Sequence, residues 1–68
     1  MMSLAEQMEL LTPKEAAALL CVEVETLTKW RWAKTGPSYH RIGGSKKGAI
    51  RYARSDIEAF LNSARVEV

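Results

Sequence analysis

The sequence predicts a mainly α domain with one small two-stranded antiparallel hairpin. Capping boxes at Thr12 and Ser55 mark two helix starts, and residues 24–34 have the spacing of an amphipathic helix. Two short segments, residues 38–42 and 49–53, flank a turn of glycine and lysine at residues 43–48, and the second segment has Ile50 and Tyr52 on one face and Arg51 on the other. Helix, turn, helix, hairpin and helix, in that order, make a small winged helix-turn-helix.

The length of 68 residues allows one domain with a small core. We expect this domain to span residues 11–65, with an N-terminal tail at 1–10 and a C-terminal tail at 66–68. Leu4 and Met8 have helical spacing. The N-terminal segment is therefore either a loose helical turn or a disordered tail, because chain ends are poorly held.

The first helix of the domain is predicted from its N-terminal signal. Thr12 caps the helix, Pro13 suits the first helical position, and Glu15 closes the capping box. The helix is expected to end at Leu20. The residues expected on its buried face are Ala16, Leu19 and Leu20, with Ala17 small enough for close helix contact.

The second helix, residues 24–34, follows the short break Cys21-Val22-Glu23 and ends before Gly36-Pro37. A turn of about 100° per residue places Leu27 and Trp30 on the core side. The residues on the outward side are Glu25, Thr28, Lys29 and Trp32, flanked by Thr26. Two helices joined this tightly fit a helix-turn-helix, in which the second helix lies in the major groove of DNA, although a generic helical hairpin shares the spacing.

The hairpin pairs residues 38–42 with residues 49–53. An isolated hairpin is only marginally stable, so it must pack on the helices. The side chains expected to do so are Ile42, Ile50 and Tyr52. The last helix is predicted to begin with a capping box from Ser55 to Glu58 and to close the core. Its apolar stripe consists of Ile57, Phe60, Leu61 and Ala64.

Charge is distributed unevenly along the chain. The net charge is +2, but residues 26–54 contain eight bases and no acid, whereas residues 1–25 contain five acids and one base. The eight bases are Lys29, Arg31, Lys34, Arg41, Lys46, Lys47, Arg51 and Arg54. Such a block is typical of proteins that bind polyanions, and it begins in the second helix and ends after the hairpin. A solvated basic face is the alternative.

The predicted DNA-binding residues of the second helix are Glu25, Thr26, Thr28, Lys29, Arg31 and Trp32. Arg31 is expected to pair with a phosphate, and Lys29 either does so or contacts a base edge. Glu25 either accepts a hydrogen bond from a cytosine amino group or lies outside the groove. Trp32 is expected in or near the core, with a contact to a sugar or a thymine methyl group as the alternative.

The hairpin is interpreted as a wing beside this helix. Its predicted DNA-binding residues are Arg41, Ser45, Lys46, Lys47 and Arg51. The tip at residues 43–48 then meets phosphates or the minor groove. A soluble loop of glycine and lysine is the alternative.

Several function classes are not expected. Because Cys21 is the one cysteine of the sequence, an internal disulfide is excluded. His40 is the one histidine, so no zinc site is expected. No apolar run approaches the roughly 20 residues of a membrane span, and the acidic N-terminus does not resemble a signal peptide. The sequence shows no carboxylate pair, no histidine–nucleophile set and no phosphate-binding loop. We therefore expect a cytoplasmic binding protein that is not an enzyme and needs no metal or cofactor.

The sequence resembles the excisionase-type, MerR-like winged helix-turn-helix family. The resemblance covers Leu11 to about Asn62. Its motifs are Leu11-Thr12-Pro13-x-Glu15-Ala16-Ala17-x-Leu19-Leu20-x-Val22-x-x-x-Thr26-Leu27-x-x-Trp30-Arg31, Gly36-Pro37, Arg41-Ile42-Gly43-Gly44 and Ile50-Arg51-Tyr52-x-x-Ser55-Asp56-Ile57-Glu58-Ala59-Phe60-Leu61. It implies a phage or mobile-element recombination directionality factor in a bacterial cell, associated with the nucleoid through DNA. Such a factor binds repeated sites near an attachment site, bends the DNA and directs a cognate integrase toward excision.

Two departures from the family pattern have structural consequences. Cys21 replaces a glycine that is common at the turn, so an ordinary backbone conformation is expected there. Glu23 replaces the usual serine or threonine cap, which weakens capping. The chain also lacks the long helix with which MerR regulators dimerise, so an effector-sensing dimer is not expected.

A small prophage or plasmid transcriptional regulator is the first alternative function, because one sequence does not distinguish the site-specific DNA binding of a regulator from that of an excision factor. A module that binds a protein partner is the second alternative. Such a module needs an exposed apolar patch, for which the candidates are Leu4, Met8, Val66 and Val68. These ends are also candidates for head-to-tail, cooperative contacts between copies along DNA.

Overall fold

The computed structural model describes residues 2–67 and confirms the predicted winged helix-turn-helix. Its elements are α1 (Leu4–Met8), β1 (Leu10–Leu11), α2 (Pro13–Leu20), α3 (Val24–Trp32), β2 (His40–Ile42), β3 (Ala49–Ala53) and α4 (Arg54–Ser63). Helices α2 and α3 form the helix-turn-helix, and β2 and β3 form the wing.

The start of α2 has the predicted capping box. The Thr12 backbone N–H donates to the Glu15 carboxylate at 2.9 Å, and the Glu15 N–H donates to the Thr12 hydroxyl at 3.1 Å. The ordinary backbone expected at Cys21 is wrong: φ is 56°, in the left-handed region. The Cys21 N–H donates to carbonyls at the end of α2, so this conformation ends the helix and turns the chain toward α3. Glu23 caps α3 without a side-chain hydrogen bond, as expected.

The hairpin belongs to a three-stranded antiparallel sheet of order β1-β3-β2. Strand β1 pairs Leu10 with Ala53 and Leu11 with Tyr52. Two residues are too few for an alternation pattern, which is why the sequence did not indicate this strand. Of the two alternatives for the N-terminal segment, a helical turn or a disordered tail, the structure has the helical turn, with a capping box between Ser3 and Glu6.

Helix α4 begins at Arg54, directly after β3, and the capping box predicted from Ser55 to Glu58 is wrong. Ala53 occupies the cap position and makes no side-chain hydrogen bond. The Arg54 N–H instead donates to the Glu9 carbonyl at 3.1 Å, and the Arg54 guanidinium pairs with the Glu9 carboxylate. The N-terminal segment thus supplies an acceptor for the first backbone N–H of α4, one of the groups that has no partner within the helix.

The core lies where α2, α3, α4 and β3 meet. Its buried residues are Ala16, Ala17, Leu27, Tyr52 and Ile57. Four expected core residues are exposed instead, namely Leu19, Ile42, Leu61 and Ala64. Ile42 is the last residue of β2 and lies next to the wing turn.

Candidate nucleic-acid interface

Helix α3 presents a narrow polar face to solvent. Glu25, Lys29 and Trp32 are exposed, whereas Thr26 and Thr28 are half-buried at the edges of this face. The exposed residues lie within about 60° of one another around the helix axis, since each residue turns the helix by about 100°. The structure therefore brings three of the predicted recognition residues together on one outward strip.

The core position expected for Trp32 is wrong, because this side chain is 86% exposed. The aromatic position in the core is occupied by Trp30, whose ring lies 5.3 Å from that of Phe60 between centroids. Trp32 follows Trp30 by two residues, which turns its side chain to the far side of α3. Its indole is therefore a solvent-facing part of the candidate interface.

Arg31 links α3 to the sheet. Its guanidinium donates to the Tyr52 hydroxyl at 2.9 Å and to the Thr28 hydroxyl at 3.2 Å, and lies 5.9 Å from the centre of the Tyr39 ring. The Thr28 hydroxyl in turn donates to the Val24 carbonyl at 3.4 Å. Arg31 and Thr28 therefore make their hydrogen bonds within the protein. The bond from Arg31 to Tyr52 fixes α3 relative to the wing.

The wing turn is held by its own residues. The Arg41 guanidinium donates to the Lys46 carbonyl at 2.8 Å, and the Gly48 N–H donates to the Ser45 carbonyl at 2.9 Å. The Ser45 hydroxyl accepts from the Lys47 N–H at 3.3 Å. Arg41 and Ser45 therefore shape the turn. Lys46 and Lys47 are exposed and form no ion pair within residues 2–67.

Arg51 lies away from the wing tip, on the side of the sheet near α2. It is half-buried and donates to the Ile50 carbonyl at 2.7 Å. The pKa of Glu15 is lowered from its ordinary value, mainly by the hydrogen bonds with Thr12 and in small part by the charge of Arg51. Of the predicted wing residues, the structure brings Arg41, Lys46 and Lys47 to the notch described next, and Ser45 and Arg51 do not line it.

A notch of about 280 Å³ separates the end of α3 from the wing. Its lining includes Arg31, Trp32, Tyr39, Arg41, Lys46 and Lys47. Four of these side chains are cations, and the lining formed by the described residues contains no carboxylate. Four of the eight bases that are spread over the sequence thus converge beside the outward strip of α3, which gives this side of the molecule a local positive potential.

Sequence reasoning missed the two tyrosines of this region. Tyr39 lines the notch and packs against Tyr52 with ring centroids 6.0 Å apart, and Tyr52 is the partner of Arg31. Tyr52 was expected only as a core residue. The available signal was an aromatic residue beside a basic strand, which does not by itself specify a contact 21 positions away in sequence.

Other kinds of site find little support in the described residues. No group of three or more His, Cys, Asp or Glu side chains within residues 2–67 is arranged to hold a metal ion. No helix in that part of the chain is long and apolar enough to cross a membrane.

Comparison with known proteins gives one match, to a family model. A family model described as a helix-turn-helix domain matches residues 10–65, which is most of the chain and includes both α3 and the wing. No curated protein and no solved structure gives a significant match.

Proposed function

The chain belongs to the helix-turn-helix domain family, a DNA-binding family, and on that premise we propose that it is a sequence-specific, double-stranded DNA-binding protein of the excisionase type. The observation that best supports this proposal is the position of the notch. Four cations lie beside the exposed strip of α3. Phosphate contacts position such a protein on the duplex, and base contacts in the groove give sequence preference.

Helix α3 lies in the major groove in this proposal. Lys29 and Glu25 face the base edges, with Lys29 donating to guanine or phosphate and Glu25 accepting from cytosine. Thr26 and Thr28 border the same surface. Since the Thr28 hydroxyl already has two partners inside the protein, its contribution to DNA is a methyl contact rather than a donated hydrogen bond.

The wing extends the contact beyond the major groove. Lys46 and Lys47 reach phosphates or the adjacent minor groove, and Arg41 and Ser45 hold the turn in the shape that presents them. Arg31 adds positive charge while it remains tied to Tyr52. Arg51 contributes to the field of the surface rather than to a contact at the tip.

The excision role adds self-association and an integrase partner. Several copies bind repeated sites near an attachment site, bend the DNA and direct the cognate integrase toward excision, within the bacterial cytoplasm at the nucleoid. Leu4, Met8 and Val66 are exposed and are candidates for contacts between neighbouring copies, whereas Val68 lies outside the described residues. No catalysis, metal or cofactor is part of this role.

Self-association is tested best by surface substitution. Deleting residues 1–9 would also remove the contacts of Glu9 with Arg54, which support the start of α4. Leu4→Ser with Met8→Ser leaves those contacts in place. This double variant is expected to lower cooperativity on DNA with several sites while single-site affinity stays unchanged. An equal effect on both, or on neither, would exclude this end of the chain as the contact.

The function is tested by a mobility-shift titration on the DNA flanking the gene, including any nearby attachment site, with competitor DNA present. We expect a ladder of discrete shifts at the attachment site, and stimulation of excision when integrase is added. Arg65→Ala, which removes an exposed charge outside the basic block, serves as a control and should leave the ladder intact. A single shift at a promoter, with none at the attachment site, would contradict the excision role and indicate a transcriptional regulator.

A further inference from the structure

We infer that the notch between α3 and the wing holds one sugar–phosphate strand of duplex DNA, with the Trp32 indole packed on a deoxyribose and Lys46 and Lys47 on the flanking phosphates. This inference rests on the proposed DNA binding and specifies how it is achieved. It makes Trp32 a backbone contact, separate from the residues that contact base edges.

The exposure of Trp32 is the first reason. Its side chain is 86% exposed although it belongs to a helix whose other aromatic residue, Trp30, packs on Phe60. A tryptophan buries a large apolar area when it meets a partner, and exposed tryptophans are frequent anchors of binding surfaces. Trp32 is therefore available for a contact that the isolated chain does not make.

The position of Trp32 is the second reason. It is the last residue of α3 and shares the notch with Lys46 and Lys47 of the wing. When α3 lies in the major groove and the wing reaches the neighbouring minor groove, the strand that separates the two grooves must pass between them. That strand therefore crosses the notch.

The chemistry of the notch matches such a strand. A DNA backbone alternates anionic phosphates with largely apolar sugars, and the notch offers cations beside an indole. Arg31 is bonded to Tyr52 and Arg41 to the Lys46 carbonyl, so both walls are fixed before DNA arrives. Among the notch cations, the two lysines keep their side chains free for phosphates, and little reorganisation is needed on binding.

Intrinsic fluorescence tests the inference, because the described residues hold two tryptophans in different environments. Trp32→Phe retains Trp30, so the difference between wild type and this variant isolates the Trp32 emission. The probes are three DNAs of equal length with a terminal dye: a duplex of A·T pairs only, a duplex of G·C pairs only, and a single strand of mixed sequence. Dye anisotropy reports binding independently of tryptophan.

We expect the Trp32 emission to change to the same extent on both duplexes and less on the single strand. Trp32→Ala should weaken duplex binding about tenfold, because alanine leaves the sugar uncovered, and Trp32→Phe should weaken it less, because a phenyl ring still covers a sugar. Neither variant removes a charge, so the slope of log K against log salt should stay unchanged. Lys46→Ala with Lys47→Ala should make that slope shallower by about 2.

Each contrary result has a distinct meaning. Anisotropy that reports duplex binding while Trp32 emission and the Trp32→Ala affinity stay unchanged would overturn the inference and leave the proposed DNA binding intact. A larger change in Trp32 emission on the A·T duplex than on the G·C duplex would overturn the sugar contact and indicate that Trp32 packs on a thymine methyl group. A larger change on the single strand would overturn it and indicate that Trp32 stacks on a base. No anisotropy change on any of these DNAs or on the attachment-site DNA would overturn the proposed function itself.

Discussion

Gly36 packs against Trp30 of α3, and Gly36→Ala should destabilise the fold strongly. Its φ is +83°, and a methyl group added there would lie 2.9 Å from both Cβ and Cε3 of Trp30. The left-handed backbone costs a non-glycine residue about 1–2 kcal/mol. Overpacking against Trp30 adds about 1–3 kcal/mol, because its Cβ is fixed to the backbone of α3. The expected total is about 2–5 kcal/mol.

Gly44→Ala provides the matched control. Gly44 has φ of +68°, but an added methyl group meets nothing within 4 Å. This variant should therefore lose only the conformational part, about 1–2 kcal/mol. Urea unfolding of both variants measures the difference, provided that the slope with denaturant stays constant. Equal destabilisation of the two variants, or a loss below about 1 kcal/mol for Gly36→Ala, would refute the packing of Gly36 on Trp30.

Three further perturbations test separate contacts. Tyr52→Phe removes the hydroxyl that accepts from Arg31 and should lower the free energy of unfolding by about 1 kcal/mol, measured by urea titration. Glu25→Gln should change which base pairs are preferred in a selection from randomised duplexes, with little effect on folding. Glu15→Gln tests the capping box. Because the pKa of Glu15 is lowered from its ordinary value of 4.5, the ionised carboxylate stabilises the fold at pH values above 4.5. This contribution to the free energy of unfolding is lost as the pH falls through the lower pKa of the folded state. The stability advantage of wild type over Glu15→Gln should therefore narrow as thermal unfolding is followed from about pH 6 to pH 3.

Each of these has a clear contrary outcome. Unchanged stability of Tyr52→Phe would mean that the hydroxyl is not the anchor of Arg31. An unaltered base preference for Glu25→Gln, with tighter binding to every duplex, would place the carboxylate outside the groove, where it only repels phosphate. A wild-type advantage over Glu15→Gln that is independent of pH would show that the capping contribution does not depend on ionisation.

The sequence predicts the parts of the fold that are determined locally. The capping box at Thr12 and Glu15 involves residues three apart, and the second strand of the wing follows from alternation over residues 49–53. Strand β1 and the start of α4 depend instead on partners far along the chain, such as Glu9 for Arg54. No local pattern specifies those pairings.

The charge distribution and the helical period of the sequence predict where the candidate interface lies, but they do not predict its side-chain contacts. Helical period places Glu25 and Lys29 outward, and the wing lysines follow from their place in the turn. The core position predicted for Trp32 from its hydrophobicity is wrong, because its position on α3 turns the side chain outward. The tie between Arg31 and Tyr52 spans 21 positions, so it emerges only when the sheet packs on α3.

The salt dependence of DNA affinity tests the central claim most directly. If the basic surface formed by α3 and the wing neutralises about six to eight phosphates, log K should fall with log salt at a slope of about −5 to −7 per protomer. Anisotropy titrations of a labelled duplex at several salt concentrations give this slope, and Arg65→Ala should leave it unchanged. A slope shallower than about −2 would contradict the claim that this surface is where DNA binds.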